Sequence, residues 1–168
     1  YRFYSRKYNC VGVEEIYDKF DLAPSTLDII RQAEISVDFI GISGRTFFES
    51  GEIEEVMKRK IGSGINFRFL IVNPKSRFIE EKALDEGDDP NAWVHDIQAS
   101  IIRLNGLKGQ VAKKQLGNGV HLRVYDALPI WRGLFIDNKY AYITYYPHGK
   151  RGKHSQVLKL NNSIGKLY

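Results

Sequence analysis

Residues 37–72 read VDFIGISGRTFFESGEIEEVMKRKIGSGINFRFLIV. The opening run Val37-Asp38-Phe39-Ile40-Gly41-Ile42 is β-branched and mostly apolar, the composition of a strand covered on both faces. Ile53, Val56, Met57 and Ile61 then recur at helical spacing, with Glu52, Glu54, Glu55, Lys58 and Arg59 on the other faces. Gly62 and Gly64 end that helix. Phe67-Arg68-Phe69-Leu70-Ile71-Val72 is a second strand, stopped at Asn73-Pro74. Strand, helix and strand in this order make a βαβ unit, whose strands are expected parallel with a right-handed crossover.

Upstream, Ser25-Thr26-Leu27-Asp28 has the form of a capping box and opens a helix that buries Leu27, Ile30 and Ala33. Residues 1–20 are rich in aromatics and lack clean periodicity, so they read as a connector or short helix before a domain spanning residues 21–168. Downstream, Asp85-Glu86-Gly87-Asp88-Asp89-Pro90 is a loop leading into a helix, with Asp89 at its N-cap and Pro90 in its first turn. Trp93, Ile97, Ile101 and Leu104 form its buried stripe. Lys108 to Gly119 reads as a mobile basic loop. Val120 to Tyr125 alternates apolar and polar residues, and Leu134 to Ile136 resumes an extended run. Asp137-Asn138-Lys139 then turns tightly into Tyr140 to Ile143. The fold class expected is α/β, a mixed sheet with a parallel core flanked by helices, and no internal repeat is visible.

The chain has 168 residues, 43% apolar and 27% charged, with a net charge of +5, enough for one domain with a real core and for an anionic partner. No apolar run is long enough to span a bilayer. The single cysteine, Cys10, excludes an internal disulfide and a multi-cysteine zinc site. These features fit a cytoplasmic location. The sequence opens on Tyr1, which reads as part of a longer protein. No metal motif is present, and no cofactor is expected.

The segment Gly119-Val120-His121-Leu122-Arg123-Val124-Tyr125, followed by Ile130-Trp131-Arg132-Gly133-Leu134-Phe135-Ile136-Asp137-Asn138-Lys139-Tyr140, resembles the active-site hairpin of the phospholipase D superfamily. That family's motif is His, one spacer, Lys, four residues and Asp. Counted back from Asp137, Arg132 takes the lysine position and Ile130 the position of the nucleophilic histidine. The family's following glycine and serine fall at Thr144 and Tyr145. Phe39 to Thr46, Ala127 to Gly133 and Tyr145 to Lys150 also resemble uncharacterised bacterial phospholipase-D-like domains, often joined to helix-turn-helix regions. The resemblance implies one half-site and homodimerisation. Isoleucine cannot attack phosphorus, so the usual catalysis is not expected. Arg132 keeps the electrostatic role, since a guanidinium binds phosphate with a fork of donors. Asp137 either shapes the pocket or forms the turn.

Two further segments supply anion ligands. Ser43, Gly44, Arg45 and Thr46 follow the first core strand, where open α/β sheets bind ligands, and Asn73 ends the next strand on the same rim. Tyr145-Tyr146-Pro147-His148-Gly149-Lys150-Arg151-Gly152-Lys153-His154 combines glycines with cationic donors. The leading expectation is a catalytically degenerate sensor domain that binds a phosphate-bearing small molecule or nucleotide. Ser43, Arg45, Thr46, Arg132, Asp137, Tyr145, His148 and Lys150 would line its site, and nucleic acid would be reached through an attached domain. The alternative is a phosphodiesterase or nuclease using His148 or His154 with Asp137. A third reading is a dimerisation platform whose pocket is filled by side chains.

Overall fold

A computed structural model describes residues 12–113, 119–149 and 152–162. The first strand, β1 (Val13–Tyr17), lies inside the stretch read as a connector or short helix; the structure makes it a sheet edge instead. A short 3-10 turn at Phe20–Leu22 leads to helix α1 (Thr26–Gln32). Ser25 caps α1 by accepting from the Asp28 backbone N–H at 3.2 Å, and Ile29, Ile30 and Ala33 are buried behind it.

The βαβ unit forms as expected: β2 (Ser36–Gly41), α2 (Gly51–Gly62) and β3 (Asn66–Val72), with β2 and β3 parallel. Ser50 caps α2, and Ile53, Val56, Met57 and Ile61 are all buried along one stripe. Each such side chain contributes roughly 1.5–3 kcal/mol on burial. Helix α3 (Arg77–Asp85) carries Ile79, Lys82 and Ala83 inward and was not signalled by periodicity. Helix α4 runs Pro90–Lys113, so Lys108 to Lys113, expected as loop, is helical. Leu107 and Val111 are buried and extend the stripe begun by Ile97 and Leu104, which is why the helix continues.

Strand β4 (Val120–Tyr125) is parallel to β3, whereas β5 (Trp131–Ile136), β6 (Tyr140–Tyr145) and β7 (Val157–Asn161) form antiparallel pairs. The seven strands make one mixed sheet in the order β1-β7-β6-β5-β2-β3-β4. Asp137 and Asn138 join β5 to β6 with φ of 57° and 51°, a type I′ turn closed by the Lys139 N–H to Ile136 C=O bond of 2.8 Å.

Because β2, β3 and β4 succeed one another in one direction, right-handed crossovers place α2, α3 and α4 on the same face. Val37 and Phe39 of β2, Phe67, Phe69 and Ile71 of β3, and Leu134 and Ile136 of β5 join the helices there in a single core. The opposite face shows Ile40, Leu70, Trp131, Phe135, Ile143, Leu158 and Leu160, all partly exposed. The strands are thus covered on one face, not both. On that open face the Trp131 and Phe135 rings meet edge-on, 6.3 Å apart, across Gly133. A Cβ at Gly133 would lie 2.7 Å from each ring, so the contact requires glycine.

Candidate functional site

A cleft of ≈ 630 Å3 opens beyond the carboxyl end of β2, large enough for a small ligand. Its floor is set by strand register. Arg132 enters from β5, and Thr144, its partner on β6, stands beside it on the same face. Tyr146, two residues on, follows the same alternation into the cleft. One wall is the segment after β2. Gly44 turns the chain at φ 68°, close enough that a Cβ would sit 3.4 Å from the Phe39 ring. Ser43, Arg45 and Thr46 line the opening around it.

Arg132 is partly buried. Its Nη2 donates to Thr46 Oγ1 at 3.1 Å, and its guanidinium lies 4.6 Å from the Phe20 ring centroid and 5.6 Å from that of Phe39. No carboxylate pairs with it among the described residues. Burial pulls its pKa below the ordinary arginine value, against the opposing influence of Tyr146 and Glu49. Burial also raises the Tyr146 phenol, although Arg132 and a hydrogen bond with the Ile42 backbone resist the shift. Tyr146 is therefore a neutral hydroxyl facing a guanidinium. Arg45 differs: it is exposed and paired with Asp96 at 3.1 Å on the rim.

Carboxylates also line the cleft. Among the described residues, Asp21, Glu49, Glu86, Asp88, Asp89 and Asp96 line the cleft beside the guanidiniums of Arg45 and Arg132. Several already have work to do. Asp88 accepts from the Trp93 indole at 3.3 Å, and Asp89 accepts from the Asn91 N–H at 3.0 Å at the start of α4, as its expected capping role requires. Glu86 is 5% exposed, and burial raises its pKa despite Lys82. The Lys82 Nζ stands 3.2 Å from Glu86 Oε1, within ion-pair reach, yet that oxygen accepts no hydrogen bond of good geometry.

Of the residues expected at the site, Ser43, Arg45, Thr46 and Arg132 come together in the cleft. Asp137 does not. Antiparallel β5 carries it to the other end of the sheet, where its carboxylate accepts from the backbone N–H groups of Glu34, Ile35 and Ser36 at 2.7–3.1 Å. It forms the turn and pins the entry to β2. Tyr145 is 58% exposed on the open face, one register position away from the cleft-lining Thr144 and Tyr146. His148 is exposed outside the cleft, with Nδ1 2.5 Å from Asp85 Oδ1. His154 is exposed and does not line the cleft. Asn73 caps its own turn by accepting from the Lys75 N–H. Lys150 lies outside the described residues. Sequence reasoning missed Phe20, Trp93, Thr144, Tyr146 and the carboxylates of the lining. The Asp85 to Asp89 run was visible as a helix start, but nothing in it signals that it folds over the end of β2.

No family model matches this sequence, and no curated protein sequence does. Among solved structures, the chain is similar to TrmBL2, an archaeal chromatin protein whose structure shows a novel mode of DNA binding. That likeness has a TM-score of 0.45 at 10% identity, over 81% of this chain and 40% of the other, so the chain spans well under half of TrmBL2. It is also similar to Nuc, a phospholipase D family member from Salmonella typhimurium, with a TM-score of 0.44 at 17% identity over 80% of this chain and 72% of Nuc. Similarities of that size leave function to the cleft itself.

Proposed function

We propose that this chain is a non-catalytic ligand-binding domain of phospholipase-D-like descent, whose cleft holds the anionic group of a small molecule on Arg132. The favoured anion is a phosphate, as in a nucleotide or signalling metabolite. One observation carries the reading: a partly buried guanidinium faces the cleft with one side-chain hydrogen bond and no ion pair among the described residues. A buried charge without a counter-ion is costly, and a guanidinium offers five N–H donors. An anion in the cleft supplies what the protein does not, with Thr46, Ser43 and Tyr146 as neutral hydrogen-bonding groups around it.

The non-catalytic part rests on the cleft lining, which includes no histidine among the described residues. Ile130, at the position of the family's nucleophile, is 53% exposed in the loop before β5. The regulatory part rests on the open sheet face, which suits a homodimer through which ligand occupancy is reported. Calorimetry with inorganic phosphate, propyl phosphate and a nucleoside monophosphate panel tests the reading. The expected result is saturable binding that weakens roughly tenfold or more in Arg132→Met, the loss of a charge-assisted contact worth about 1.5–3 kcal/mol. Binding that survives the substitution unchanged contradicts it.

A further inference from the structure

Thr144 is 3% exposed, yet its hydroxyl has no hydrogen-bond partner among the described residues. Packing does not call for that hydroxyl. On the same face of the sheet, β7 sets buried Val157 beside Thr144, and the preceding inward residue of β6 is buried Tyr142. A valine would fill nearly the same volume and suit the strand as well, without burying a polar group. Nor does the motif frame supply it, since the phospholipase D pattern has glycine at this position. What distinguishes Thr144 is its place. It is the direct cross-strand partner of Arg132, a pairing that sets two Cβ atoms roughly 4.5–5.5 Å apart on one face. Both residues line the cleft.

Two more hydroxyls share this space. Thr46 Oγ1 already accepts from Arg132 Nη2, so its own proton points elsewhere, and Tyr146 lines the cleft two residues beyond Thr144. No described residue accepts a hydrogen bond from any of the three hydroxyls. A guanidinium fork by itself satisfies both oxygens of a carboxylate. Further donors, carried on β6 and on the turn after β2, serve an anion with more oxygens, and a phosphate monoester presents three strong acceptors. We propose that Thr144 is the specificity-determining donor of this cleft, giving its hydrogen to a phosphate oxygen beyond the Arg132 fork and so selecting a phosphate monoester over a carboxylate. This rests on the reading of Arg132 as the anion anchor. A carboxylate bound there leaves the Thr144 hydroxyl buried and unsatisfied, so the wrong anion forfeits the bond and the site keeps its cost.

Calorimetry on the intact chain with propyl phosphate and butyrate tests this. The wild-type chain should bind propyl phosphate roughly tenfold or more tighter than butyrate. Thr144→Val, which keeps the shape and drops the hydroxyl, should weaken propyl phosphate roughly fivefold or more while leaving butyrate within about twofold. Thr144→Ser, which returns the hydroxyl, should recover the propyl phosphate affinity. Equal propyl phosphate affinity in the wild-type and Thr144→Val chains overturns the inference. So does an equal loss of both anions in Thr144→Val, which would make Thr144 a prop for Arg132 and not a donor to the ligand. A wild-type chain that does not prefer propyl phosphate overturns it without any variant. Propyl phosphate binding that is lost in Arg132→Met but unchanged in Thr144→Val removes this inference alone, whereas binding of neither anion removes it together with the anchor reading.

Discussion

Asp137 is held by three backbone N–H groups and sits at φ 57°, a conformation that few residue types tolerate. Asp137→Ala loses the acceptor and strains the turn, so urea denaturation should show a loss of about 2–4 kcal/mol. Asp137→Asn, which tolerates the turn and keeps one acceptor, should lose clearly less, and neither should change ligand affinity. An alanine variant as stable as the parent would remove this role. Its side chain could not be placed from spacing, because the same Asp-Asn pair serves a catalytic motif and an ordinary hairpin. Arg132 was legible for the opposite reason: its place in the motif frame coincides with an inward position of β5. Tyr145 and Tyr146 show the limit of such reading. A strand end fixed one residue late sends the wrong tyrosine into the cleft, and alternation turns that small shift into opposite faces.

At the scale of elements, α3 is fastened to the loop after β6 by a compact ionic knot. Buried Lys82 reaches Asp85 at 2.9 Å and the Pro147 carbonyl at 2.9 Å, while Asp85 also receives the Gly149 N–H at 3.1 Å and lies against His148. Burial would lower the Lys82 pKa, but its two carboxylates outweigh that and raise it. Lys82 and the Gly149 N–H hold Asp85 below the usual carboxylate range. A depressed folded-state pKa means that Asp85 stabilises fully above its unfolded value, near 4, and that this contribution fades as pH falls through the folded value. Asp85→Asn should accordingly be less stable than the parent at pH 6, with the difference shrinking in thermal melts below pH 4. A difference that does not narrow would rule the knot out as a source of acid sensitivity. None of this was visible from periodicity, since α3 packs through Ile79, Lys82 and Ala83, a stripe that includes a lysine. The lower limit of α4 was read correctly from Asp89 and Pro90, but its upper limit was hidden by a run rich in lysine and glutamine that covers buried Leu107 and Val111.

Across the whole molecule, the parallel core was legible because β2 and β3 are nearly continuous apolar runs, whereas the edge strand β1 pairs only with β7, from the far end of the sequence. Covering one face leaves the other with a broad partly apolar surface. Seven strands about 4.8 Å apart, each about six residues long, give a footprint of roughly 600 Å2, close to the ~800 Å2 that a standard interface takes from each partner. Light scattering at tens of micromolar should therefore report a dimer, and Ile16→Glu/Tyr145→Glu, both exposed on that face, should report a monomer of unchanged fold. A monomeric wild-type chain would count against the proposed output. The central claim is narrower and tests more directly: Arg132 is a partly buried cation, without a carboxylate partner among the described residues, that binds an anion. Titrating the wild-type and Arg132→Met chains with propyl phosphate should give binding in the first and at least tenfold weaker binding in the second, whereas equal affinity in both would contradict the account.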